Sequence, residues 1–136
     1  MKNWKFLLIV FLFSTQCKSH KAIQKEDNHT SLMKNLAVEK FGTKYSIKAN
    51  EKGSHFIVHK THKRIQDLMG TVSFFIYEKE SQSSIFEDEL NAGSVNWISD
   101  IEIIAISRNI KAERDKGKSP TKTYYYNVIN KKKRIE

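Results

Sequence analysis

Cysteine and proline are nearly absent: the 136-residue chain has one of each, Cys17 and Pro120. A lone cysteine leaves no disulfide within the chain, so the fold stands on burial alone. Glycine is scarce too, five residues scattered singly. There is no G-x-S-x-G and no glycine-rich loop, which removes the sequence signatures of a nucleophile elbow and a phosphate cradle. The longest apolar run is short, Phe6 to Phe13. A helix that crosses a bilayer needs roughly 20 apolar residues. There is no internal repeat and no low-complexity tract.

What is present is an excess of positive charge, 24 Lys and Arg against 15 Asp and Glu, a formal net charge of +9. A basic surface attracts anionic partners through its long-range field. Nucleic acid is one such partner. For an exported chain the anionic neighbours are lipid headgroups, lipopolysaccharide or acidic polysaccharide, and no nucleic acid is expected. Solubility alone also accounts for the charge.

The amino-terminal stretch bears on export. Lys2 and Lys5 precede the run FLLIVFLF, and Ser14-Thr15-Gln16-Cys17 follow it. Basic residues followed by about 7–15 apolar ones make a secretory signal. With its cysteine just beyond that run, the segment resembles bacterial lipoprotein precursors over its first eighteen or so residues. The resemblance implies cleavage before Cys17 and a diacylglyceryl group on its thiol. Lys18 after the cysteine, by resemblance to Gram-negative lipoproteins, points to the outer membrane. Two other readings stand beside it: an ordinary secretory signal cut after Ser19, giving a secreted or periplasmic soluble protein, and a core helix. In the first reading residues 1–16 are the signal peptide and 17–31 a lipidated cysteine with a flexible tether. Residues 32–136 then form a single α+β domain. Loss of Lys2 and Lys5 with the leader lowers the formal charge to about +7. Such a chain is long enough for one domain.

Leu32, Met33, Leu36, Ala37 and Phe41 fall at helical spacing, with Thr30 or Ser31 to cap the start and Gly42 to stop the end. From Lys44 the period becomes two. Tyr45, Ile47 and Ala49 read as a half-buried strand, and His55 to His59 as its hairpin partner across Glu51-Lys52-Gly53. Thr61 to Gly70 fits one helical turn. Thr71 to Lys79 is apolar on both faces, so it reads as a central strand covered on one side by the helix. Ser81 to Gly93 is polar and carries the capping pattern Ser84-Ile85-Phe86-Glu87, so it reads as a connection with a turn of helix. Ser94 to Ser107 divides into two strands at Ser99-Asp100. Arg108 to Pro120 reads as an exposed loop, and Thr121 to Asn130 as the last strand, with Tyr124, Tyr126 and Val128 on one face. The expected fold is α+β: one N-terminal amphipathic helix packed on a mostly antiparallel sheet of about five to six strands.

No catalytic residue stands out. His55 and His59 have a zinc-like interval, but four residues of strand separate them by about 13 Å. No metal or other cofactor is expected. Glu87, Asp88 and Glu89 read as a solvated loop or helix start. Aromatics beside cations stack on sugars or bases and pair with phosphates. The binding candidates are therefore Trp97, Lys111, Lys122, Tyr124, Tyr126, Lys131 and Lys132, with Lys63 and Arg64 able to join them. The expected function is a small cell-envelope lipoprotein that binds or supports an envelope assembly without catalysis. It would be held to the membrane through Cys17 and have an anionic envelope component or a protein as partner. The alternatives are an exported inhibitor-like module that blocks a hydrolase, and a small envelope hydrolase. A concave site with a perturbed acid or base would favour the hydrolase. A protruding, apolar-tipped hairpin would favour the inhibitor.

Overall fold

The computed structural model describes residues 28–63, 70–108 and 121–136. Helix α1 (Asn28–Phe41) is followed by eight strands: β1 (Ser46–Ala49), β2 (His55–His62), β3 (Thr71–Glu78), β4 (Ser83–Asn91), β5 (Ser94–Trp97), β6 (Glu102–Arg108), β7 (Thr121–Asn127) and β8 (Lys132–Ile135). They form two four-stranded antiparallel sheets, β1-β2-β3-β4 and β5-β6-β7-β8, in which every strand pairs with its neighbour in sequence. The chain is α+β, but its described residues form two sheets and eight strands where the sequence led to one sheet of five or six. The helix also lies at Asn28–Phe41, inside the chain and not at its amino terminus.

Both extra strands are polar. Ser83–Asn91 was expected to be a connection with a helical turn, yet it is β4. Its register with β3 turns Phe86, Asp88 and Leu90 toward Ile76, Phe74 and Val72, and Glu87 and Glu89 to the other face. A buried strand face can hold Asp88 because its oxygens are hydrogen-bonded. The basic tail forms β8, an edge strand, where charged side chains block pairing with another chain.

The two sheets share one core. Ile57, Val72, Phe74, Ile76 and Leu90 from the first meet Val95, Ile103, Ala105, Tyr124 and Tyr126 from the second, with Val128 beyond β7. Helix α1 packs on the opposite face of the first sheet, where Met33, Ala37 and Phe41 meet Val58, Phe75 and Tyr77. Strand β3 therefore has a cover on both faces: the expected helix on one, a second sheet on the other. Leu32 stands apart from the expected stripe, 40 % exposed. Gly42, at φ 73°, stops the helix as expected. Strand β1 is exposed along its whole length, not half-buried, because it is an edge that the helix leaves open.

The crossing between sheets takes two residues. Ala92 adopts φ 42°, and Gly93 lies so close to β6 that a Cβ there would collide with the Ile106 carbonyl oxygen. Only glycine permits that approach. The split at Ser99-Asp100 is present between β5 and β6. The expected helical turn before Gly70 and the loop before Pro120 fall on 64–69 and 109–120, outside the described residues.

Strict up-and-down order sorts the connections to two ends. The start of α1 and the β1–β2, β3–β4, β5–β6 and β7–β8 turns lie at one, called proximal here. Cross-links hold it together. The Tyr77 hydroxyl donates to the His29 carbonyl at 3.2 Å and the Lys79 amide to the Ser54 carbonyl at 2.9 Å. The Val128 amide donates to the Ile101 carbonyl at 2.9 Å. Among the described residues no helix is long and apolar enough to cross a membrane.

Candidate functional site

The tyrosine-rich and basic ends of the chain come together as the β7–β8 ribbon. Tyr126 and Lys133 are register partners, as are Tyr125 and Arg134. Alternation sends Tyr124 and Tyr126 into the inter-sheet core and leaves Tyr125 on the outer face. Phe86 of β4 stacks on Tyr126 with ring centres 4.0 Å apart, and meets Tyr124 edge-on at 6.4 Å. Lys133 places its ammonium 3.7 Å from the centre of the Tyr124 ring. Asp88 accepts from the Tyr124 hydroxyl at 2.7 Å and from Lys133 at 3.1 Å. On the outer face Arg134 lies 4.4 Å from the Tyr125 ring centre and 3.8 Å from Glu102.

The electrostatics of this cluster are settled from within. Burial pushes the Asp88 carboxyl up, but the Tyr124 hydroxyl, the Glu89 amide and Lys133 outweigh it and hold Asp88 below its ordinary value. Burial, and then Asp88, push the Tyr124 hydroxyl far above the usual tyrosine range. It remains a donor to a charged acceptor, one of the stronger kinds of hydrogen bond. Tyr126 is raised as well, chiefly by burial. Tyr124 and Tyr126 thus join the sheets, while Lys122, Lys131 and Lys132 are exposed on the same ribbon. Those three exposed cations are the part placed to meet an anion, with Lys131 also in the field of Glu78.

Trp97 lies on β5, at the opposite edge of that sheet. Its indole donates to the Lys48 carbonyl at 2.9 Å, and Lys48 in turn reaches the Val95 carbonyl and the Asn96 side chain. These contacts tie the open edge β1 to β5. Lys111, Arg64 and Cys17 lie outside the described residues, and Lys63 is exposed beyond β2.

A second polar cluster was not foreseen. Asn50 is 4 % exposed. Its Oδ1 accepts from the Ser54 and His55 amides, and its Nδ2 donates to Ser54 Oγ and to the Asp100 carbonyl. The Asp100 side chain accepts from the Lys52 amide at 3.0 Å. His55 Nδ1 is 3.0 Å from Ser54 Oγ, and its Nε2 is 3.4 Å from Glu78 Oε1. The Ser81 hydroxyl, against burial and with help from His55 and Lys131, holds Glu78 below its ordinary value. Serine, histidine and carboxylate in line resemble a hydrolytic relay, but the parts are spent. Ser54 Oγ is already held by Asn50, and His55 is 6 % exposed. A nucleophile must face its substrate. The cluster clasps the β1–β2 turn to the β5–β6 turn.

His55 and His59 are both on β2, as expected. Burial, and then Lys48, lower the His59 value. Among the described residues no three His, Cys, Asp or Glu side chains converge as metal ligands. On the helix side of the first sheet, Lys40, Phe41, Ser73, Phe75, Glu87 and Glu89 line an open groove of about 410 Å³. The Lys40–Glu87 ion pair bridges it at 2.7 Å. Reading Glu87 to Glu89 as a loop hid this groove and Asp88 together. The F-x-D-x-L alternation at Phe86, Asp88 and Leu90 was the available signal.

No protein-family model, curated protein or solved structure matches the chain.

Proposed function

We propose that this is a small cell-envelope lipoprotein, held to a membrane by acyl groups on Cys17, whose β-rich domain binds or supports an envelope component without catalysis. The supporting observation is spacing. Cys17 closes a signal-like segment, and helix α1 begins eleven positions later, at Asn28. Eleven residues reach at most about 40 Å. The domain is thereby kept at the membrane with freedom to engage a partner. Lys122, Lys131 and Lys132 on the β7–β8 ribbon make an anionic component the partner that fits best. The compartment in this reading is the outer membrane of a Gram-negative bacterium.

One observation favours a second reading, the inhibitor-like module. Exposed isoleucines stand on the β5–β6 and β7–β8 turns, the apolar-tipped kind of hairpin such a module uses.

Mass analysis of the mature amino terminus from a Gram-negative host, beside Cys17→Ala, tests the anchor. The expected result is an acylated Cys17, with the variant released from membranes. A soluble chain starting near Ser19 with no acyl group overturns it.

A further inference from the structure

At the proximal end, Ile98 is 49 % exposed, Ile101 43 % and Ile129 64 %. They flank two adjacent turns, joined by the Val128 amide on the Ile101 carbonyl. Isolated apolar side chains on a surface are ordinary; several on neighbouring turns are a patch. Lys131 and Lys132 are exposed directly beside Ile129. The carboxylates of these turns are engaged: Asp100 with Lys52 at 3.6 Å and Glu102 with Arg134 at 3.8 Å. The exposed Glu51 and Glu80 belong to the β1–β2 and β3–β4 turns of the other sheet. One half of the proximal end is therefore apolar and basic.

Helix α1 starts at that same end, and the Tyr77–His29 bond fixes it there. Chain leading back to Cys17 therefore joins the domain at the proximal end, on the far side of the first sheet from the isoleucines. A leaflet holding the acylated cysteine would lie within reach of this tip. Apolar side chains that enter the acyl boundary, with lysines at the headgroups, are the usual chemistry of interfacial binding.

The geometry points to the β5–β6 and β7–β8 turns as a membrane-docking tip: Ile98, Ile101 and Ile129 enter the interface of an anionic leaflet, and Lys131 and Lys132 pair with its headgroups. This assignment rests on Cys17 being the anchor. A hydrolase partner fits less well, because α1 begins at this same end and brings a leaflet within its reach. Docked this way, the domain holds its distal end, where β2 and β6 finish at His62 and Arg108, away from the membrane.

The test uses the full chain processed in a Gram-negative host and reconstituted into phosphatidylglycerol-rich vesicles. An environment-sensitive thiol dye is placed at Ile129→Cys, or at Thr43→Cys on the exposed distal turn. The expected result is a blue-shifted emission at position 129 that a lipid-borne quencher suppresses, with neither effect at position 43. Lys131→Glu with Lys132→Glu should abolish the shift. A water-like emission at position 129 on vesicle-bound chain overturns the assignment. So does a shift that requires a bound host protein, which would favour the inhibitor reading. If mass analysis shows no acyl group, the anchor reading fails by itself. The same dye on a Cys17→Ser, Ile129→Cys chain then decides docking, since no shift on anionic vesicles refutes it.

Discussion

The first sheet is covered on both faces along its central strand β3, and the second on one. Strand β3 shows this in its sequence, TVSFFIYE: Phe74 and Ile76 enter the core between the sheets while Phe75 and Tyr77 enter the helix layer. Strands β6 and β7 alternate instead, with Ile103, Ala105, Tyr124 and Tyr126 buried and Ile104 and Tyr125 only half-buried on the outer face. A strand between two layers is apolar throughout, whereas one with a wet face is apolar at every second position. The difference locates stability in the first sheet and leaves the outer face of the second free to vary.

Substitution on those two faces should break the symmetry most. Phe75→Ala opens a cavity between sheet and helix at a fully buried site and should cost about 3–5 kcal/mol. Ile104→Ala, on the outer face of β6, should cost less than about 1.5 kcal/mol. Urea unfolding of both variants gives the contrast, and equal losses would mean that the second sheet's outer face is also covered. Next in size is the link between the sheets. Asn50→Ala removes four side-chain hydrogen bonds and leaves the Asp100 carbonyl without its buried partner, a loss of about 2–3 kcal/mol. Hydrogen exchange should show faster opening of both the β1–β2 and β5–β6 turns. Opening of the first alone would mean that Asn50 serves its own turn only.

The smallest expected effect concerns acid. The Asp88 value is lowered on folding, so the unfolded chain binds that proton more readily. The stability that Asp88 contributes is present above the ordinary carboxylate value, near 3.9, and is lost as pH falls through the lowered one. Tyr124→Phe removes a bond that holds the value down, so it should destabilise by about 1 kcal/mol at pH 7 and flatten the stability curve below about pH 4. Thermal melts from pH 7 to 3 would show it. An unchanged acid slope would mean that Lys133 and the Glu89 amide hold Asp88 without Tyr124.

Much of this fold was legible because period and cover agree. The α1 stripe, the stop at Gly42, the break at Ser99-Asp100 and the inward face of Tyr124, Tyr126 and Val128 all follow from local spacing. Strand β4 did not, since its composition is that of a loop and only pairing with β3 makes it a strand. Strand β1 looked half-buried by alternation, but alternation cannot say whether anything lies above. The candidate residues divide in the same way. Tyr124, Tyr126 and the lysines of the tail were visible as types. That Tyr124 holds Asp88, or that Trp97 ties β1 to β5, depends on contacts 36 and 49 residues apart. No local pattern encodes those.

The up-and-down strand order has a consequence for how the chain assembles. Among the described residues no strand waits for a partner made much later. A polypeptide delivered amino end first, from a ribosome or through a translocon, could close α1 and β1 to β4 before β5 emerges. Nearest-neighbour pairing keeps the entropy of loop closure small. The half-built intermediate would still expose Phe74, Ile76 and Leu90 on its bare inner face, and that surface is an aggregation hazard until the second sheet arrives. The span between synthesis of Asn91 and of Asn127 is thus the interval in which a holdase chaperone would matter most.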